Sequence, residues 1–449
     1  RARAALAAGL TAALALAAGA HAQHAFHRHA LIPPPLPERP DRPTAHTPTN
    51  PDLARSDDPF PEPVVRYVDA AAAPGGDGLS WATAYQNPED ALQSTTSQRN
   101  LRLLIAQGVY TPRVGPDDPA NSAPAFSFDP GGSNTLDTSV EFIGGFPAGG
   151  APLEQRDPHA YPTILSGDIN NDDGPNFTNR DDNAPLVLFT RARRTTIDGL
   201  TVRGGHAPNR TDYDPDQLNV LDLAAGGLRA VAEITIAHAR FTDNLGFTGG
   251  AVATDVAPSH DRGVLRVRDS VFENNRAVQQ GGALFLASGA QTQIVRSRFS
   301  RNAAPVGGAV AARDVDLNIA HAVFTANRAE SDDFTPFGGA LFAFDGSFGL
   351  RAPAEPRIQI VNSLFYGNSA PDGFVGGAWF ANNATIQNTV FSHNSDMRGD
   401  GADAQLSNHL VLSASDSAPP NFTTVNLVRG WADPARPGHT ILDQDPRFR

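Results

Sequence analysis

The chain has 449 residues, 40% of them hydrophobic, with 41 Gly and 37 Pro: enough for a large core, but broken too often by turn-forming residues for long helices. A net charge of −13 argues against nucleic acid as a partner, because phosphate contact needs a basic surface. All 35 basic residues are arginine and there is no cysteine, which rules out lysine Schiff-base chemistry, disulfides and thiolate metal sites.

Residues 1–22, RARAALAAGLTAALALAAGAHA, combine two early arginines, an Ala/Leu run and the small-x-small pattern Ala20-His21-Ala22. They read as a secretory signal peptide with Gln23 as the first mature residue. The run is short and Ala-rich for a membrane span, and no later stretch approaches transmembrane length, so no transmembrane helix is expected after cleavage. The chain begins at Arg1 and closes on DQDPRFR, and residues are expected to be missing at both ends, a C-terminal anchor among them.

Residues 23–63 are too rich in proline and polar residues to bury a core and read as a disordered spacer. His24, His27 and His29 form a short tract that suits either a metal or a solvated tail. From 64 to 235, short apolar runs such as LRLLIAQGVY, SVEFIGGF and RTTIDGLTVRGG alternate with Gly/Asp/Asn/Pro turns, the pattern of an all-β protein. One short helix is predicted over 88–97, and residues 64–100 are expected to cap the N-terminal end.

From 236 to 405 a unit repeats. Phe241, Phe272, Phe299, Phe324, Phe365 and Phe391 are each followed three residues later by an asparagine: Asn244, Asn275, Asn302, Asn327, Asn368 and Asn394. A Gly-Gly-Ala follows the first five, at Gly249, Gly281, Gly307, Gly338 and Gly376, and a weaker DGAD the last. The residue five before each phenylalanine is always Ile or Val, and the residue two before is always Ala, Ser or Thr. Spacings of 25 to 41 residues are those of a solenoid that tolerates insertions.

On one flat strand, positions −5 and 0 would face opposite sides, yet both are apolar, so the backbone must bend between them. The reading is a right-handed parallel β-helix whose coils stack at about 4.8 Å. Each asparagine is expected to take a left-handed bend and to bond the next coil. The glycines are expected to supply a turn that side chains would obstruct.

The paired FxxN and GGA[I/L/V] repeats resemble those of the chlamydial polymorphic outer membrane proteins. The N-terminal half, with YVDAAAAPGGDGLSWATAYQNPEDAL, IAQGVYTP, VEFIGGF and TILSGDI, resembles bacterial secreted right-handed parallel β-helix repeat proteins, as does the closing ILDQDPRF. The resemblance covers about 64–449, with 406–449 as truncated last coils. It implies an exported cell-surface, outer-membrane or secreted protein of adhesin-like or structural role. β-Helices also carry lyases and glycosidases, so a carbohydrate-active enzyme is the alternative.

A glycosidase needs two carboxyls within reach of one glycosidic bond. Asp172-Asp173, Asp181-Asp182 and Asp332-Asp333 are acidic pairs, but none stands beside a recurring base. The column three before each phenylalanine holds His238, Asp269, Arg296, His321, Asn362 and Asn388. Asp269, Arg296 and His321 on adjacent coils are the weak catalytic candidates, against a plain polar ladder.

For metal, Asp168, Asn170 and Asp172 set oxygens on alternate residues, as calcium loops do, although the glycine falls one place late for an EF-hand. Asp212, Asp214 and Asp216 repeat that alternation. No cofactor is required; Ca2+ is the candidate ion. Partners are expected among cell-surface glycans or proteins, met by a monomeric solenoid near the insertions at 328–337 and 344–357, with Trp379 and Tyr366 close by.

Overall fold

The six phenylalanines of the repeat meet as one column. In the computed structural model of the protein they are fully buried, with neighbouring ring centroids 4.5–5.2 Å apart and planes within 13° of parallel. The structure describes residues 62–406 except 96–99, 114–125, 130–137, 209–224, 256–262, 287–290, 314, 334, 345–357, 381–383, 388 and 398–403. The signal peptide, almost all of the Pro-rich spacer, the histidine tract, the Asp212–Asp216 string, most of the 344–357 insertion, Asn388 and residues 407–449 lie outside it.

Three long parallel sheets run side by side. Among the described residues, the first has ten strands, from Val64–Val68 to Ala384–Gln387; the second has nine, from Gly108–Tyr110 to Val390–Ser392; the third has nine, from Phe126–Phe128 to Ala404–Leu406. A typical coil runs Val264–Arg268 in the first sheet, Val271–Glu273 in the second and Leu284–Leu286 in the third, then returns to Gln291–Val295 in the first. Each strand pairs with its counterpart one coil away, so the rest of the coil is the crossover that a parallel pair requires. The fold is a parallel β-helix, and right-handed winding is the sense that right-twisted strands favour.

The bend between positions −5 and 0 is real, and it falls at position −3. His238, Asp269, Arg296, His321 and Asn362 all have φ between 46° and 55°. A left-handed residue there turns the chain from the first sheet into the second, so that Val267 and Phe272 both face inward.

The second bend corrects the sequence expectation. The left-handed residue is not the repeat asparagine but the one before it: Asp243, Asn274, Arg301, Ala326, Gly367 and His393, with φ of 53–63°. That turn swings the following asparagine into the tube, where Asn244, Asn275, Asn302, Asn327, Asn368 and Asn394 are at most 1% exposed. Asn302 shows their common pattern. Its Oδ1 accepts from the backbone N–H and the side-chain amide of Asn275, both at 3.0 Å, and its Nδ2 donates to Phe272 O at 3.0 Å and to Asn327 Oδ1 at 2.9 Å. Each rung is thereby tied to the coils on both sides.

A shorter ladder runs beside it, as the buried Ser270 and Ser297 hydroxyls accept the backbone N–H of Ala239 and Ser270, both at 3.2 Å. In the Gly-Gly pair the two glycines do different things. Gly281 has φ of 65°, whereas a Cβ on Gly282 would lie 2.1 Å from Gly308 O on the next coil.

At the N-terminal end, Asn87 caps a helix over Pro88–Ser94, accepting from Glu89 N at 3.0 Å, with proline in the first turn. Ala91 and Leu92 of that helix join the main core. Among the described residues, no helix is long and apolar enough to cross a membrane.

Asn302→Ala leaves the Asn275 N–H and Phe272 O without these partners in a dry interior. It is expected to cost about 3 kcal/mol of unfolding free energy in urea, whereas Asn318→Ala, on an exposed face, should stay within about 0.5 kcal/mol.

Candidate functional site

Because the interior columns are in register, the exterior ones are too. On the outer face of the first sheet, Arg102, Glu141, Thr196, Thr235, Arg266, Gln293, Asn318 and Gln359 lie opposite one another on successive strands. Arg102 and Glu141 form a two-pronged ion pair at 2.6 and 3.2 Å. Arg266, Gln293, Asn318 and Gln359 are exposed, and Asn318 Nδ2 lies 3.5 Å from Gln359 Oε1. The outcome is a polar row of guanidinium, carboxylate, hydroxyl and amide groups in register.

The first bend makes a second row along the edge of that sheet. Asp198, opposite Ala237 and one residue before its own coil's bend at Gly199, has a buried side chain that accepts from His238 Nδ1 at 2.9 Å and from Arg156 Nη2 at 2.6 Å. Burial pushes the Asp198 carboxyl up, but the hydrogen bonds from His238 and Arg156 outweigh it and hold the group at about 2. With Asp198 at Nδ1, the other ring nitrogen, Nε2, lies 3.5 Å from Arg268 Nη1.

The sequence candidates Asp269, Arg296 and His321 do fall on three successive rungs of this edge. Asp269 and Arg296 form a bidentate ion pair at 2.7 and 2.8 Å, which holds the Asp269 carboxyl below its ordinary range. His321 instead faces Asn362, with Nε2 3.4 Å from its amide nitrogen. Asp269 and Arg296 thus satisfy each other, while the oriented histidine of the row is His238.

A third feature is the loop between Gly167 and Ala184, closed by the Ala184 N to Gly167 O bond at 2.8 Å. Asp168 and Asp172, both expected from the sequence, come together with Asp182, and one carboxylate oxygen from each lies within 4.8 Å of the others. Asn170 contributes its backbone N–H to Asp182 Oδ2 at 2.8 Å. Asp181 is exposed on the same loop. Arg180 is 4% exposed in its side chain, lies over the Phe177 ring at 4.6 Å and contacts Asp173 Oδ2 at 3.2 Å. Burial nevertheless pushes the Asp173 carboxyl up to about 6. His206 is pushed down by burial and by Arg180, and its Nδ1 has no partner.

The remaining candidates are dispersed. Trp379 stacks on Phe342 at 4.7 Å, with Phe337 and Phe374 beside them, and Tyr366 is 42% exposed next to His393. In the 328–337 insertion, Glu330 pairs with Arg276 and Arg328, and Asp332 and Asp333 are exposed.

Sequence reasoning missed Asp198 and Arg156, whose partners lie 40 and 42 residues away in coils of unequal length. It noted Asp182 only as half of an acidic pair, and nothing in the spacing showed that it returns to Asp168. Compared with protein-family models and with curated proteins, the chain matches none.

Asp198 sets an acid limit. Its folded value of about 2 lies below the ordinary 3.8, so its stabilisation is full above about pH 4 and is lost as the pH falls through 2. Urea titrations should show the wild type losing about 2 kcal/mol more than Asp198→Asn across that window.

Proposed function

We propose that the protein is an exported β-helix of adhesin-like or structural role, in the manner of the outer-membrane repeat proteins it resembles, and that it binds a hydroxyl-rich polymer such as a cell-surface glycan. The observation that carries this reading is the outward row on the first sheet from Glu141 to Gln359, half-buried as far as Thr235 and exposed from Arg266 on. Its six steps extend about 29 Å at the strand spacing. Single exposed hydrogen bonds contribute little, but a rigid row engages a periodic chain at many points with a low ordering cost. Amides, hydroxyls and an arginine fit sugar hydroxyls, whereas the acidic balance of the chain disfavours polyphosphates.

A second reading, a carbohydrate-active lyase or hydrolase, draws its support from His238, whose buried partner Asp198 orients it as a base next to Arg268. The two readings differ in product. The purified chain should bind immobilised polysaccharide without releasing reducing or unsaturated ends, and the triple variant Gln293→Ala/Asn318→Ala/Gln359→Ala should bind at least tenfold more weakly with its melting temperature unchanged. Unaltered binding by that variant removes the row from the account, and product release that His238→Ala abolishes favours the enzyme.

A further inference from the structure

The loop 167–184 gathers carboxylates that lie outside the polar row of the first sheet. Asp168 and Asp182 are 5% and 9% exposed and face each other across the neck of the loop, with the exposed Asp172 beside them. Calcium binds oxygen at roughly 2.3–2.6 Å, so two oxygens on opposite sides of one ion stand about 5 Å apart. Three carboxylate oxygens mutually within 4.8 Å therefore reach a single ion together. The donors that the protein gives this trio are backbone amides, Asp172 N to Asp168 at 3.1 Å and Asn170 N to Asp182 at 2.8 Å.

An independent observation points the same way. Asn183 is 7% exposed, and its amide nitrogen is committed to Gly204 O at 2.6 Å and Asp173 Oδ2 at 3.2 Å, yet its buried Oδ1 has no partner. Asp173 Oδ1 is buried and unpartnered as well. Both residues converge on Gly204, where an added Cβ would lie 3.3 Å from Asp168 Cβ and 3.4 Å from Asp173 Oδ2. Two orphaned acceptors, set against one orphaned donor at Arg180 Nε, leave the loop short of donors. Orphaned buried acceptors are costly, and so are buried like charges, whereas a hard cation satisfies both.

We propose that Asp168, Asp172 and Asp182 bind a calcium ion, with the Asn183 and Asp173 oxygens completing its surroundings. An all-oxygen set borne on an irregular loop suits calcium better than zinc, which takes nitrogen and sulfur, or magnesium, which demands a tight octahedron. The ion closes the loop at its neck. Arg180 then carries the effect to the tube, since its Nη1 donates to Asp243 O at the second bend of the first regular coil. This role is independent of any polymer bound on the first sheet.

The test is calorimetric titration of the full chain with calcium in physiological salt, repeated with magnesium, together with melting curves. One saturable calcium site is expected, weakened more than tenfold in Asp172→Asn and in Asp182→Asn. Calcium should raise the melting temperature of the wild type and not of either variant. Asp172 is exposed, so its variant reports even where Asp182→Asn fails to fold. No saturable uptake, uptake unchanged in Asp172→Asn, or magnesium bound as tightly as calcium would each overturn the proposal.

Discussion

The asparagine ladder is the constraint on which the rest of this molecule depends. A tube of parallel strands must turn corners, and each corner strands backbone groups in a dry interior where an unpaired N–H costs about 1–3 kcal/mol. From Asn275 on, each buried Oδ1 answers this by accepting the backbone N–H of the asparagine one coil earlier, as Asn244 Oδ1 accepts that of Gly205, while its own Nδ2 reaches a carbonyl next to that corner. The bond forms only when successive coils stand in register. Insertions in the connections therefore leave the register intact: 25 residues separate Asn302 from Asn327 and 41 separate Asn327 from Asn368, yet both rungs bond at 2.9 Å.

Register inside the tube dictates register outside it. The residues on either side of each buried Ile or Val are carried outward at the same spacing, and the polar row from Glu141 to Gln359 follows directly. The left-handed bends behave differently. Position −3 asks only for a residue that accepts positive φ, and histidine, aspartate, arginine and asparagine all occupy it. Chemistry can therefore vary along an edge whose geometry does not. His238, Asp269 and Arg296 on successive rungs are the result, with Asp198 one residue before the equivalent bend at Gly199 on the preceding coil.

The fold was legible because its structural residues repeat. Phe, Asn and Gly-Gly-Ala recur with the same local spacing, and the parity conflict between positions −5 and 0 required the bend that the structure has. The misplacement of the left-handed residue has a plain cause. Asparagine tolerates positive φ, so propensity assigned it the bend, whereas burial of its amide required the preceding residue to make the turn.

The candidate sites were less legible, since adjacency across coils depends on the length of each connection. Arg156 reaches Asp198 over 42 residues and Asp182 returns to the Asp168 region through a closed loop, neither of which has a periodic signature. Asp168 and Asp172 could be singled out because alternating oxygens within one short segment are visible without knowledge of the fold.

Register is the central claim, and electron-spin distances between paired labels test it most directly, because the chain has no native cysteine to interfere. Cysteines would be introduced for labelling at Gln359 and, in turn, at Thr235, Thr196 and Glu141, which stand four, five and six strands away on the outer face of the first sheet. The account predicts distances of about 19, 24 and 29 Å, rising by one strand spacing at each step. Distances that do not rise with strand number would contradict it.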